Sequence, residues 1–142
     1  MPMGRRLNES FISSFSELDK NCCEKFGVVS GGVTEYINRL NNARFAPGRD
    51  EALPRLVRYR NLRNKMVHEP GAIRRITEIT KADITWVKKF NKDLLKRRDP
   101  ISAYLRKARA YARRRRIKRY VTAAAFVALF VIAVALIVAF VK

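Results

Sequence analysis

Residues 121–141 read VTAAAFVALFVIAVALIVAFV, and this stretch decides what kind of fold the rest of the chain can have. It contains no charged residue, and Thr122 is its one polar residue. As a helix it is about 31 Å long, which matches the roughly 30 Å hydrocarbon core of a bilayer. Thirteen of its residues are Val, Ile, Leu or Phe, which favours insertion by roughly 4 to 8 kcal/mol. The pattern predicts a single transmembrane helix over residues 120–142 and argues against a freely soluble protein, a secreted protein and a multi-domain enzyme.

A buried core helix is the alternative interpretation of the same stretch. A helix that is apolar on all sides is buried only when a large protein surrounds it. About 120 residues precede the stretch, and these are enough for one small helical core. The membrane interpretation is therefore preferred.

A strongly basic segment, residues 113–119, lies directly before the apolar stretch, and only Lys142 follows it. Because cytoplasmic flanks of transmembrane helices are rich in Lys and Arg, we expect a single-pass, C-terminally anchored protein with its N-terminal domain in the cytoplasm. The expected location is the cell membrane, with a bacterial inner membrane as the preferred setting. The cations of this segment are expected to contact phosphates of anionic lipids or, as the alternative, of nucleic acid. They are Arg113, Arg114, Arg115, Arg116, Lys118 and Arg119.

The whole chain is basic, with 31 Lys and Arg against 12 Asp and Glu and a net charge of +19. The last carboxylate side chain is Asp99. No apolar segment of a signal peptide follows the N-terminus. Cys22 and Cys23 are the two cysteines, and neighbouring cysteines give neither a disulfide framework nor a spaced pair of metal ligands. We expect reduced thiols, with Cys22 in the core, and no metal or other cofactor.

Residues 1–112 are predicted to form an all-α, up-and-down bundle of four to five helices. The helices are expected to begin near Asn8, Val33, Asp50, Thr80 and Asp99, with Asp50 and Asp99 as N-caps and a capping box from Thr80 to Asp83. Residues 70–79 are expected to connect two of them. Apolar residues at steps of three and four give the first helix its core-facing stripe. They are Phe11, Phe15, Leu18, Cys22 and Phe26.

The last helix is predicted to be long and to continue into the membrane. Neither Gly nor Pro occurs between Ile101 and Val141, so we expect one helix of about 40 residues. Its first part is expected to pack on the bundle through Ile101, Tyr104, Leu105, Ala108 and Ala112.

Residues 58–70, RYRNLRNKMVHEP, contain the side chains best suited to chemistry. His68 is the one histidine of the chain. On a helix Asn64 and His68 share a face, and Arg63 lies about 140° around the axis, so convergence on one phosphate requires fraying of the last turn. Histidine exchanges protons near neutral pH, and arginine can bind a phosphate with two donors.

The sequence RNKMVH at residues 63–68 resembles the R-N-x-x-x-H motif of the HEPN superfamily, and residues 8–112 resemble its helical layout. The resemblance implies a small helical bundle and a metal-independent endoribonuclease of toxin or defence type, acting on RNA. It also implies a homodimer in which two copies of the motif form one site. By this resemblance Arg63, Asn64 and His68 are the catalytic residues.

Two other functions remain open at this stage. In the first, the bundle is a non-catalytic interaction or scaffold module on the membrane, and His68 caps its own helix or bonds a neighbouring carbonyl. In the second, the chain is a tether that acts only through its charge. Binding by a tether weakens with salt, survives the loss of His68 and is lost with Arg113 to Arg116.

Overall fold

A computed structural model describes residues 3–141 of the chain. Over this range the helical spacing of the apolar side chains produces an all-α fold. No strand occurs within this range, so the predicted helical bundle is confirmed. The four-residue α4 lies in the segment that was predicted to be a connection. The helices are α1 (Met3–Phe26), α2 (Gly32–Asn42), α3 (Arg49–His68), α4 (Ala72–Arg75), α5 (Lys81–Leu95) and α6 (Pro100–Val141).

The core of the bundle is built around α1, which packs against α2 and α5 and also contacts α3 and α4. Phe11, Phe15, Leu18 and Cys22 are buried, as their spacing predicts. Phe26, the last residue of the predicted stripe, is partly buried against them. Burial of each large apolar side chain contributes roughly 1.5 to 3 kcal/mol.

α1 and α2 approach each other very closely at Gly32. A side chain at this position would overlap backbone atoms of Asp19 and Cys23 in α1. The Asp19 carboxylate accepts a hydrogen bond from the backbone N–H of Val33 at 2.8 Å. α2 therefore receives a cap from α1, because its own N-cap residue, Gly31, makes no side-chain hydrogen bond.

Two helix starts differ from their prediction. α1 begins at Met3, and Asn8, the expected start, lies inside the helix with its side chain buried. The prediction of Asp50 as the N-cap of α3 is wrong, because Gly48 holds that position in a left-handed conformation and the helix begins at Arg49. Asp50 lies in the first turn, where a negative charge still complements the helix dipole.

The predicted start of α5 is confirmed. The Thr80 hydroxyl accepts a hydrogen bond from the backbone N–H of Asp83 at 3.2 Å, and the Asp83 carboxylate accepts one from the Thr80 backbone N–H at 2.8 Å. The Tyr59 hydroxyl also donates to Asp83 at 2.7 Å, which ties this capping box to α3. Burial by itself would raise the pKa of Asp83, but the hydrogen bonds from Thr80 and Tyr59 and the charge of Arg58 outweigh it and lower the pKa.

α6 is a single unbroken helix of 42 residues, which confirms the predicted long last helix. The chain divides into two compact units with a boundary after Tyr104, so the first turn of α6 belongs to the bundle. Leu105, Ala108 and Ala112, which were predicted to pack on the bundle, lie beyond this boundary.

The remainder of α6 forms the second unit. Among the described residues, one helix is long and apolar enough to cross a membrane, judged by length and composition alone, and its most apolar window lies here. A core helix of a soluble protein would pass the same test, but it would be mostly buried. None of this window is buried within the protein.

Candidate functional site

α3 presents the residues of the R-N-x-x-x-H motif near its C-terminal end. Leu62 and Met66 face the core and are buried, whereas Asn64 and His68 are exposed and Arg63 is partly buried. Asn64 and His68 are four residues apart in the helix and share one face. A ligand in solution can therefore reach the side chains of the motif.

His68 is the last residue of α3. The turn that ends with it is intact, because the backbone N–H of Glu69 donates to the Lys65 carbonyl at 3.0 Å. Within residues 3–141 the imidazole makes no hydrogen bond. The alternative in which His68 bonds its own helix end is therefore not seen in the described part of the chain.

Arg63 and Asn64 contact each other, whereas Arg63 and His68 do not. Arg63 Nη1 donates to Asn64 Oδ1 at 3.3 Å. α3 stays regular as far as His68, so the fraying that convergence of Arg63 and His68 on one phosphate requires is not observed. The helix by itself brings together two of the three motif residues.

The charges along α3 are paired differently in its two halves. Arg55 lies 3.6 Å from the Glu51 carboxylate, and Arg58 lies 3.5 Å from that of Asp83. In the second half, by contrast, Arg60 and Arg63 bond only to the amide oxygens of the asparagines that follow them. No carboxylate among residues 3–141 pairs with either arginine. An amide does not neutralise a guanidinium, so this half of α3 favours an anionic ligand.

A second group of cations follows the motif and was missed by the sequence analysis. The chain passes from His68 through residues 69–71 into α4, where Arg74 and Arg75 are exposed. Arg75 Nη2 donates to the Pro70 carbonyl at 2.9 Å. A helix of four residues is too short to show a periodic pattern, so the only signal in the sequence is the pair of adjacent arginines.

The predicted phosphate-contact residues of the basic segment all lie in the second unit, on α6. Arg113, Arg114, Arg115, Arg116, Lys118 and Arg119 are exposed. No acidic residue occurs after Asp99, so α6 has no carboxylate side chain of its own to pair with them.

Asp99 was predicted only as an N-cap but is also the centre of a buried network. It accepts hydrogen bonds from Lys25 Nζ at 2.7 Å, from the Tyr36 hydroxyl at 2.8 Å and from the Ser102 backbone N–H at 3.2 Å. Burial alone would raise the pKa of Asp99, but these hydrogen bonds and the charge of Lys25 outweigh it and lower the pKa. The network joins the start of α6 to α1 and α2.

Neither cysteine belongs to a metal-binding group. Among the described residues no three His, Cys, Asp or Glu side chains are arranged to hold a metal ion. Cys22 is buried, as predicted, and Cys23 is partly buried. Burial and the charge of Asp19 raise the pKa of the Cys22 thiol to about 12, so this thiol is protonated and unreactive at neutral pH.

A cavity of about 280 Å³ lies between the α2–α3 connection, α5 and the start of α6. Trp86 and Phe90 form an aromatic wall with their rings stacked 5.0 Å apart. Lys89 and Asp93 also line it. The motif residues of α3 do not line it, so the cavity is separate from the candidate site.

No curated protein and no solved structure matches the chain. One protein family does match, over residues 9–125, which cover the bundle and reach into the apolar stretch. The bundle, the basic segment and the start of the apolar stretch thus occur together in one family pattern. The chain belongs to the family of unknown function DUF6548.

Proposed function

We propose that this protein is a membrane-anchored, HEPN-like endoribonuclease that needs no metal and uses Arg63, Asn64 and His68. The observation that carries the proposal is the exposed end of α3. There the one histidine of the chain has no hydrogen-bond partner among residues 3–141, and Arg60 and Arg63 have no carboxylate partner. Such a surface suits a phosphodiester, because the phosphate supplies the missing negative charge.

The proposed reaction is transfer of the phosphoryl group within RNA. The 2′-oxygen attacks the neighbouring phosphorus, the bond from phosphorus to the 5′-oxygen breaks, and the products end in a 2′,3′-cyclic phosphate and a 5′-hydroxyl. His68 accepts the proton of the 2′-hydroxyl as general base. Arg63 stabilises the charge that develops on the phosphate oxygens, and Asn64 orients the substrate or the imidazole.

The single histidine suggests how the second proton is supplied. The departing 5′-oxygen needs a proton, and the chain contains no other histidine to provide it. Either His68 returns the proton that it accepted, or His68 of a second copy acts as the acid. A homodimer with two motifs in one site meets this need and also brings together arginine and histidine side chains that α3 alone keeps apart.

The proposed function also includes attachment of the protein to a membrane. α6 is the anchor, and the basic segment 113–119 contacts anionic lipid phosphates on the cytoplasmic side. The exposure of the side chains described between residues 121 and 140 supports this, because lipid would cover an apolar surface that the protein leaves open.

Cleavage of RNA by the full chain in neutral detergent and a metal chelator tests the reaction. We expect cyclic-phosphate ends from the parent and a rate at least about 100-fold lower for His68→Ala, since general acid–base catalysis contributes 10²- to 10⁴-fold. Lys88→Ala, which removes an exposed cation from α5, is the matched control and is expected to cut at the parent rate. Equal cutting by His68→Ala, or no cutting by the parent, would contradict the proposal.

A non-catalytic interaction module is the second candidate. The observation that favours it is the intact last turn of α3, which leaves Arg63 bonded to Asn64 and apart from His68. In that case His68→Ala changes the stability or the oligomeric state of the bundle, and neither form cuts RNA. A tether that acts through charge alone would bind RNA or lipid equally well without His68 and would lose binding with Arg113 to Arg116.

A further inference from the structure

The turn that follows the motif is fixed by a residue distant in sequence. Asn8 of α1 is buried, and its side-chain amide donates to the carbonyls of Ile73 and Ile76 at 2.8 and 2.7 Å. These two carbonyls flank Arg74 and Arg75. A buried amide thus uses both of its hydrogens to hold a four-residue helix whose arginine side chains point outward into solvent.

Arg75 is bonded to the turn that follows the motif. Its Nη2 donates to the carbonyl of Pro70, which lies two residues after His68. A guanidinium has five N–H donors, so this bond sets its direction and leaves the other donors for a ligand. The Arg75 guanidinium is therefore held beside the end of α3 where His68 lies.

The charge around this turn is unbalanced. Residues 60–75 contain five Lys and Arg against the single carboxylate of Glu69. Within residues 3–141 neither Arg74 nor Arg75 pairs with a carboxylate. Exposed cations that outnumber the local carboxylates form a binding surface for the regularly spaced phosphates of a single-stranded nucleic acid.

We infer that Arg74 and Arg75 form a second phosphate-binding position, which holds the neighbouring phosphate of the RNA strand bound at Arg63 and His68. The inference rests on the proposed function, since it assigns a position to the same substrate. The two arginines are positioning residues. They fix the register of the strand relative to His68 and take no part in proton transfer.

Binding of a short, fluorescently labelled 2′-O-methyl RNA tests this inference without cleavage, because the methyl group blocks the attacking oxygen. The full chain in neutral detergent is titrated at several salt concentrations. Each lost phosphate contact lowers the salt slope of log affinity by about 0.7, so Arg74→Gln/Arg75→Gln, which removes the one proposed phosphate position, is expected to lower the slope by about 0.7. At 0.1 M salt this corresponds to binding that is roughly 5-fold weaker.

Two control variants and a fluorescence measurement distinguish the effect of lost charge at this position from loss of charge elsewhere and from loss of folding. Lys88→Gln/Lys89→Gln removes the same charge from an exposed pair on α5 and is expected to leave the slope unchanged. Arg74→Lys/Arg75→Lys keeps the charge and is expected to have the same salt slope as the parent. The fluorescence of Trp86, the one tryptophan of the chain, verifies that each variant is folded.

The outcomes separate the failure of this inference from that of the proposed function. If the parent binds RNA and cuts unmodified RNA through His68, but the Arg74/Arg75 and Lys88/Lys89 variants behave alike, the second phosphate position is wrong and the ribonuclease proposal stands. A slope that falls equally in the Lys-substituted variant also overturns it, because the loss is then not one of charge. If the parent binds no RNA, both proposals fail together.

Discussion

Asp99 is fully buried and ionised, and it is the residue on which the junction between α6 and the bundle depends. Three donors surround its carboxylate, and Lys25, the one that carries charge, keeps a fifth of its side chain exposed. A buried charge is tolerable when it is paired and hydrogen-bonded, and costly when its partner is lost. The sequence showed this residue only as a helix cap, because its partners come from residues 25 and 36.

The substitution Asp99→Asn is expected to lower the free energy of unfolding of the bundle by about 3 kcal/mol at neutral pH, because it leaves Lys25 without its counter-charge. The folded-state pKa of Asp99 is lowered, so its contribution is present above its unfolded pKa near 3.8 and is lost as pH falls through the folded value. Urea unfolding followed by Trp86 fluorescence should therefore show a smaller loss of stability below about pH 4 in Asp99→Asn than in the parent. Asp50→Asn, whose carboxylate is 98% exposed, is the control. Equal effects of the two substitutions would show that the network is unimportant.

Gly32 is required by the space between two helices, whereas Gly27 is favoured by its backbone conformation. In Gly32→Ala the new Cβ would overlap the backbone of Asp19 and Cys23 and lie 2.8 Å from Cys22 Cβ. Backbone cannot move aside as a side-chain end can, so α1 and α2 must separate. We expect a loss of about 3 kcal/mol, at the upper end of the usual cost of overpacking.

Gly27→Ala is the control for this substitution. Its Cβ would meet nothing within 4 Å, but the residue has a φ of +68°. A left-handed conformation costs a non-glycine residue roughly 1 to 2 kcal/mol. Urea unfolding should therefore rank Gly32→Ala as more destabilising than Gly27→Ala, and the reverse order would be incompatible with the close contact of α1 and α2.

At the scale of elements, the sequence predicts what depends on local pattern. The stripe of α1 and the capping box of α5 follow from spacings of three and four residues, and both are confirmed. The start of α3 was wrong because Gly48 takes the N-cap position without a side-chain hydrogen bond. α4 was missed because a buried amide 65 residues away, that of Asn8, fixes it. Contacts over such a separation leave no periodic signal.

At the candidate site, too, the sequence predicts the residues that follow a local pattern and misses the others. The residue types and their spacing pointed to Arg63, Asn64 and His68, and the structure has all three at the end of one helix. Whether they act on RNA remains a prediction. The cations of α4 could not be assigned to this site, because the sequence does not show which direction the chain takes after Pro70.

α6 contains nine Lys and Arg between residues 105 and 120 and no acidic residue. Like charges three or four residues apart destabilise a helix, whereas opposite charges at this spacing stabilise it. No Asp or Glu follows Asp99, so this part of the helix supplies no acidic side chain of its own to balance these charges. Phosphates of lipid or RNA would relieve the repulsion, which gives the basic segment a physical reason to be bound.

At the scale of the whole molecule, a small bundle and a long helix are joined in one chain whose apolar part has no protein to cover it. Every side chain described between residues 121 and 140 is exposed. An apolar surface of this length in water would drive aggregation, while in a bilayer it is favourable by the transfer energy of its 13 large apolar residues. The proposed membrane insertion would place this apolar surface in an environment that favours it.

After an alkaline wash the full chain is expected to float with vesicles of neutral phosphatidylcholine in a sucrose gradient, because the attachment depends on the apolar stretch and not on charge. Val131→Arg/Ile132→Arg puts two charges at the centre of the stretch and costs about 5 to 7 kcal/mol, which offsets most of the insertion energy, so this variant should stay at the bottom of the gradient. Ala139→Arg/Phe140→Arg adds the same charges near the far end, where long side chains can reach the aqueous interface, and should still float. If the parent does not float, or if the central variant floats as the parent does, α6 is not a membrane anchor. The net charge alone would then have to explain any association with lipid or RNA.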